Sequence, residues 1–163
     1  MLTQQRLKQL LRYDPETGLF WWVVPRRGVQ MHRPAGRANA AGHGYCEIGV
    51  DGKLYRTHRL AFLYMEGELP DGDVDHIDRN RVNNSWANLR LASRSENCAN
   101  TETRANNTSG HPGVVWDKTR GKWRAQIRLG GKKTNLGRFL TFEEAKAAHD
   151  IAAKQEFGAF ANV

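Results

Sequence analysis

VDHIDRNRVNNSWANLRLASRSEN, residues 74–97, is the stretch on which the reading of this 163-residue chain turns. Val74-Asp75-His76-Ile77 has the look of a strand end, Asp78 to Trp86 is an Asn/Arg-rich loop, and Leu89-Arg90-Leu91 reads as a second short strand. Ser93-Arg94-Ser95-Glu96 has the spacing of a capping box, so a helix opens there with Asn97 one turn in. A strand–loop–strand–helix unit of this size is expected to fold with the strand end facing the helix start. Its polar residues, Asp75, His76, Asn88 and Asn97, sit at the junctions.

Those residue types suit hydrolysis of a phosphodiester. The reaction needs an activated water, a cation to neutralise the transition state, and stabilisation of the leaving oxygen. An imidazole ordinarily titrates near neutrality, which fits His76 as general base. Asp75 offers an anionic oxygen and Asn97 a neutral carbonyl oxygen, a set of hard donors that suits one Mg²⁺ or Mn²⁺ ion. Asn88 is expected to brace the loop by bonding its backbone and to fix the imidazole's orientation. His58, at the start of an apolar helix, is a further phosphate or metal candidate whose more ordinary role is a structural hydrogen bond. His32, His43, His111 and His149 show no ligand-like spacing in the sequence.

Working outward toward the N-terminus, leucines at 2, 7, 10 and 11 with Thr3 as cap predict a helix over 3–12. Tyr13 to Gly18 is a turn and Leu19 to Val24 a strand, while Pro25 to His43 reads as a loop holding four arginines. Tyr45–Val50, Asp51-Gly52 and Leu54–Arg56 form a hairpin signal. Thr57 is expected to cap a helix through Met65 that ends near Gly67 and Pro70.

Toward the C-terminus, residues 104–112 (RANNTSGHP) are the best linker candidate, followed by three strand-like runs and an Ala-rich helix capped by Thr141. Residues 104–163 hold 11 Lys/Arg against 5 Asp/Glu, whereas residues 1–103 hold 14 against 12. Most of the net charge of +8 therefore sits on the last third of the chain, the footprint of a nucleic-acid-binding unit. Along the middle run Arg124, Gln126 and Arg128 alternate and share one face, with Trp123, Ala125 and Ile127 on the other. Arg and Gln are the side chains that reach guanine and adenine edges. Lys132, Lys133 and Arg138 are placed for phosphates, and Trp116 for a sugar–phosphate contact or for the core.

Cys46 and Cys98 form no C-x-x-C pair, so neither a zinc knuckle nor a disulfide framework is expected, and no zinc is expected as cofactor. The longest apolar run, Leu60 to Met65, is too short to span a bilayer. The expectation is a soluble, cytoplasmic protein without a membrane partner.

The segment from Asp75 to Asn97 resembles the ββα-metal motif of HNH endonucleases of the phage and intron-encoded homing type. It carries the Asp-His pair, Asn88 thirteen residues after Asp75, and an asparagine nine residues further on. RYDPETGLFWW (12–22) and GYCEIGVDGKLYRTHRLAFLYMEGELP (44–70) are also typical of phage members. The resemblance implies His76 as general base, Asn88 as structural asparagine, Asp75 and Asn97 as metal ligands, and 5′-phosphate and 3′-hydroxyl products. GVVWDKTRGKWRAQIR, LGRF and TFEEAKAAHDIAA, beyond residue 112, resemble the ethylene-response-factor (Apetala-type) DNA-binding domain, a three-stranded antiparallel sheet backed by one helix. Val115 and Asn135 depart from the plant pattern, so a base preference does not transfer.

The expected fold is thus α+β. A small β-rich N-terminal region leads into a ββα-metal (His-Me finger) core at about 72–101 within a nuclease domain at 1–103. A linker at 104–112 and a DNA-binding domain at 113–163 follow. The expected partner is double-stranded DNA, the expected state a monomer, and the expected setting the cytoplasm of a phage-infected bacterium. A non-catalytic DNA-binding regulator on the same folds is the rival reading. Nicking and double-strand cleavage both stay open.

Overall fold

The computed structural model describes residues 1–25, 28, 30–39, 44–101 and 107–162. Arg26, Arg27, His43 and residues 104–106 of the expected loop and linker lie outside them. The architecture is mixed α/β, and its sheets are small and antiparallel. By packing, the chain divides into two compact units, Met1–Ala92 and Ser93–Val163.

The first unit opens with α1 (Gln4–Leu10), capped by Thr3, whose hydroxyl accepts from the Arg6 amide at 3.2 Å. The helix is shorter than its leucine spacing predicts. Leu11–Tyr13 forms β1 and pairs with β2 (Phe20–Trp22), so Leu11 turns its buried side chain into the core from extended backbone. Long-range pairing overrides helical periodicity here. Asp14 closes the hairpin: its carboxylate accepts from the Glu16 amide at 3.0 Å and the Thr17 hydroxyl at 2.9 Å. β3 (Arg37–Asn39) lies in the stretch expected to be loop and pairs with β4 (Tyr45–Val50), which pairs with β5 (Lys53–Arg56) across the Asp51-Gly52 turn.

α2 (Thr57–Glu66) follows directly and stops at Gly67, whose φ of 96° is the left-handed cap that glycine adopts without strain. Arg56, not Thr57, is its N-cap residue. The Thr57 hydroxyl is inside the helix, buried and without a hydrogen-bond partner. Leu7, Leu11, Phe20, Val50, Leu60 and Leu63 form the fully buried centre of this unit. β6 (Asp73–His76) and β7 (Leu89–Ala92) pair antiparallel, with Asp75 opposite Arg90 and His76 opposite Leu89.

The second unit begins with α3 (Arg94–Ala99), opened by the expected capping box: Ser93 accepts from the Glu96 amide and Glu96 from the Ser93 amide. α3 packs on α4, and Asn162 reaches back to the Thr101 carbonyl at 2.9 Å. By packing, α3 therefore groups with the second unit. β8 (Val114–Asp117), β9 (Lys122–Leu129) and β10 (Lys132–Phe139) form an antiparallel sheet in the order β10-β9-β8. α4 (Phe142–Phe157), with its own Thr141–Glu144 capping box, covers one face through Ala145, Val114 and Ala125. No helix among the described residues is long and apolar enough to cross a membrane.

Candidate active site and nucleic-acid interface

β6 carries Asp75 and His76 as consecutive residues that are both buried in the first unit, 5% and 4% exposed respectively. A buried carboxylate needs compensation. Arg90 supplies it from the facing position on β7, with Nε and a terminal nitrogen each 2.8 Å from Asp75 Oδ2. The strand register dictates this pair, since directly opposed residues share a face of the ladder.

His76 Nε2 stands 3.2 Å from Asn84 Oδ1. The Asn84 amide nitrogen donates to the Val82 carbonyl at 3.1 Å, which sets the carbonyl end of that side chain toward the ring. An acceptor at Nε2 places the imidazole proton there and leaves the lone pair of the neutral ring on Nδ1. Burial lowers the pKa of His76 from its ordinary value, against the opposing pull of Asn84, Asp78 and Asp75. The ring is therefore neutral, and basic at Nδ1, at physiological pH.

Asn88, on a single 3₁₀ turn (Trp86–Asn88), holds the loop between the strands. Its Oδ1 accepts from the Asp78 amide at 2.9 Å, and its Nδ2 donates to Asp78 Oδ1 and to the Asn83 carbonyl, each at 2.8 Å. The residue bonded to the ring, however, is Asn84 rather than Asn88. Burial of the Asp78 carboxyl would raise its pKa, but hydrogen bonds from Asn83, the Asn80 amide and Asn88 outweigh this and lower it. The loop is thus cross-braced from both ends by a charge.

The sequence reading missed the support beneath this loop. Tyr13 donates its hydroxyl to the Asn84 carbonyl at 2.7 Å, and the Trp86 amide donates to the Pro15 carbonyl at 2.8 Å. Gly18 has φ +73°, and a Cβ there would lie 2.2 Å from the Asn84 carbonyl carbon. The β1–β2 hairpin is therefore a buttress for the residue that orients His76. Nothing local in residues 12–22 signals this role, since the contacts join segments 71 residues apart.

His58 packs its ring 5.1 Å from that of His76 at 86°, with Tyr45 5.1 Å beyond it. Its Nδ1 is buried without a hydrogen-bond partner, and burial pushes its pKa down to about 3. The structural hydrogen bond anticipated for His58 is thus absent at that nitrogen. The guanidinium groups of Arg56 and Arg81 sit 4.6 and 5.2 Å from the Tyr45 ring centre, a cationic fringe on this aromatic cluster.

Asn97, half-buried on α3, belongs to the second unit. Asp75, His76 and Asn88 belong to the first.

In the C-terminal sheet, strand register sorts the basic residues by face. Arg124 lies opposite Arg138 and Val115, Gln126 opposite Asn135, and Arg128 opposite Lys133. These residues form the face away from α4, because Ala125 and Ile127, which alternate with them, are buried. Two expected contacts fall on the other face. Trp116 is opposite Trp123, its ring 5.2 Å away, and Trp123 in turn packs on Phe142 of α4. Lys132 is opposite Leu129, so it points away from its neighbour Lys133, as consecutive strand residues must. Arg138 is held by Asp117, Nε to Oδ2 at 3.1 Å.

Comparison with known proteins agrees with both halves. Residues 55–99 match the family described as HNH endonuclease, and residues 109–159 match the AP2 domain. Protein 3.8 of Escherichia phage T7 is 40% identical over 85 residues, covering 52% of this chain and 70% of that protein. An uncharacterized HNH endonuclease of Acanthamoeba polyphaga mimivirus is 33% identical over 112 residues, 68% of this chain and 57% of the relative. The structure titled "DNA binding and cleavage by the HNH homing endonuclease I-HmuI" is similar at 26% identity and a TM-score of 0.42, covering 56% of this chain and 51% of that one. The chain belongs to the HNH endonuclease family and carries a C-terminal AP2 domain. The HNH match runs through α3, which by packing alone groups with the AP2 unit.

Proposed function

We propose that this protein is a metal-dependent DNA endonuclease in which His76, held neutral and oriented through Nε2, takes the proton of the attacking water at Nδ1. The observation that carries this reading is the buried His76–Asn84 pair beside the Arg90-compensated Asp75. A buried neutral imidazole oriented through Nε2 is suited to accept a proton.

Asp75 fits a hard divalent cation such as Mg²⁺ or Mn²⁺ by the oxygen chemistry of its side chain, and it would share its carboxylate with Arg90. Such an ion, when bound, supplies charge neutralisation at the phosphate and the leaving oxygen. The chain's own contributions are different. Asn84 fixes the tautomer of the base, Asn88 and Asp78 hold the loop that carries Asn84, and Arg90 pairs with the buried carboxylate and orients it.

The outer face of the AP2 sheet is proposed to engage the duplex. Arg124, Gln126 and Arg128 project together with Lys133, and Arg124 Nε is buried with no hydrogen-bond partner, a donor set for an acceptor from outside the chain. Arg138 contributes less, since Asp117 already holds it. In this reading residues 1–103 form the nuclease domain and residues 113–163 the DNA-binding domain, in a monomer acting in a bacterial host's cytoplasm.

The test is relaxation of supercoiled plasmid by the full chain with Mg²⁺ or Mn²⁺. The expected result is metal-dependent nicking, abolished by EDTA and reduced about 10²–10⁴-fold in His76→Ala, the range for losing a general base. Nicking that persists in His76→Ala would remove His76 from the mechanism. Duplex binding with no cleavage under any divalent metal would favour a regulator.

A further inference from the structure

Two buried histidines and a half-buried aspartate, all metal-ligating side chains, meet in the AP2 unit, apart from the nuclease residues. His111 lies in the loop before β8, and His149 and Asp150 lie on α4; both histidines are 7% exposed. One donor atom from each of the three lies within 4.8 Å of the others. The sequence reading found no ligand spacing for His111 and His149, because their approach is made by the fold and not by the local chain.

The protonation pattern makes this cluster unusual. His111 Nδ1 is 2.8 Å from the Pro112 carbonyl oxygen, which can only accept, so the ring proton is on Nδ1. The lone pair of a neutral ring is then on Nε2, and Nε2 faces Asp150 Oδ1 at 2.9 Å. Two acceptors in contact are bridged by a cation, either a second ring proton or a metal ion. His149 Nδ1 is buried without a hydrogen-bond partner and stands 3.6 Å from the same oxygen. Lys146 holds the other carboxylate oxygen, Oδ2, and so leaves Oδ1 turned to the two rings.

We propose that His111 Nε2, His149 Nδ1 and Asp150 Oδ1 form a site for a borderline divalent cation of the Zn²⁺ class, which pins the loop before β8 to α4. Donors about 2.0–2.2 Å from one tetrahedral ion stand roughly 3.3 Å apart. The separations of 2.9 and 3.6 Å bracket that value. Two imidazoles and one carboxylate favour Zn²⁺ over Mg²⁺. The Pro112 carbonyl gives His111 the outer partner that ligating histidines ordinarily have. Gly113 makes room for the second ring: a Cβ there would lie 2.5 Å from His149 Cδ2. The absence of a C-x-x-C pair does not bear on this site, which uses no thiolate.

The experiment uses the full chain, stripped with chelator and titrated with ZnCl₂, and reads bound zinc by equilibrium dialysis. An Asp75→Ala/His76→Ala background silences the nuclease residues. One zinc per chain is expected in both the wild type and that background, with affinity at least about tenfold lower after His149→Gln, on the scale that even outer-partner losses reach. Ring ¹H–¹⁵N spectra of the folded wild type give a second readout that needs no variant. Zinc should shift His111 Nε2 and His149 Nδ1, and Mg²⁺ should not. Failure of the wild type to bind, binding lost with Asp75 and His76 but unmoved by His149→Gln, or unshifted rings would each overturn the site. In that outcome a protonated His111 alone pairs with Asp150.

Discussion

The β6–β7 loop and the outer face of the AP2 sheet are both polar surfaces offered to the same kind of substrate, yet they are built in opposite ways. In the loop nearly every polar side chain is bonded within the chain. Asn88 alone makes three hydrogen bonds, and the hairpin at 11–22 holds the loop from below. On the sheet, Arg128 and Lys133 extend into solvent from a scaffold that fixes only their Cα positions. Under the proposed function, the difference follows from the work each would do. Proton transfer requires a base held to within a fraction of an ångström, whereas phosphate binding tolerates flexible side chains and gains from long-range attraction.

That contrast can be broken. Asn88→Ala removes bonds to a charged carboxylate and a backbone carbonyl, which should cost about 3 kcal/mol of stability, seen as a lower unfolding midpoint of the nuclease unit. Nicking should fall with it while duplex affinity holds. A loop that keeps its stability and rate without Asn88 would show the bracing to be unnecessary.

On the opposite face, Arg128→Ala with Lys133→Ala should weaken duplex binding and lower the slope of log affinity against log salt by about 2, one for each phosphate left without its cation. The unfolding midpoint should not move. An unchanged salt slope would move the DNA to another surface.

Gly18→Ala probes the buttress at a distance from the chemistry. A left-handed φ of 73° and a clash with the Asn84 backbone should cost about 1–3 kcal/mol and slow nicking, although residue 18 touches no reacting group. Wild-type nicking in this variant would disconnect the hairpin from the site.

Stability should also depend on pH. His58 and His76 have folded pKa values below that of an unfolded histidine, about 6.5. Between the folded and unfolded values the unfolded chain binds the extra protons. Stability from burying the neutral rings is thus complete above about pH 6.5 and is lost as pH falls toward 3. A melting midpoint that rises on acidification from pH 6.5 to 5 would contradict the sign.

Much of this was legible along the chain, for reasons that are local. The Ser93 capping box, the Thr141 cap, the Asp51-Gly52 hairpin and the alternation through Arg124, Gln126 and Arg128 depend on neighbours a few residues apart, and each formed as read. The helix over 3–12 did not persist to its end, because strand pairing with residues 20–22 claimed Leu11 to Tyr13. The faces of Trp116 and Lys132 were not legible, because the face on which an isolated residue falls depends on the register of its partners.

By itself the sequence determined which residue types stand at Asp75, His76, Asn88 and Asn97, and that a basic sheet follows them. Spacing, charge and capping are properties of the chain and survive without a fold. Only the tertiary structure decided that Asn84 orients His76, that Arg90 compensates Asp75, that a hairpin far upstream supports the loop between them, and that His111 meets His149. Each of these joins segments distant along the chain through strand register and core packing, and no local pattern encodes it.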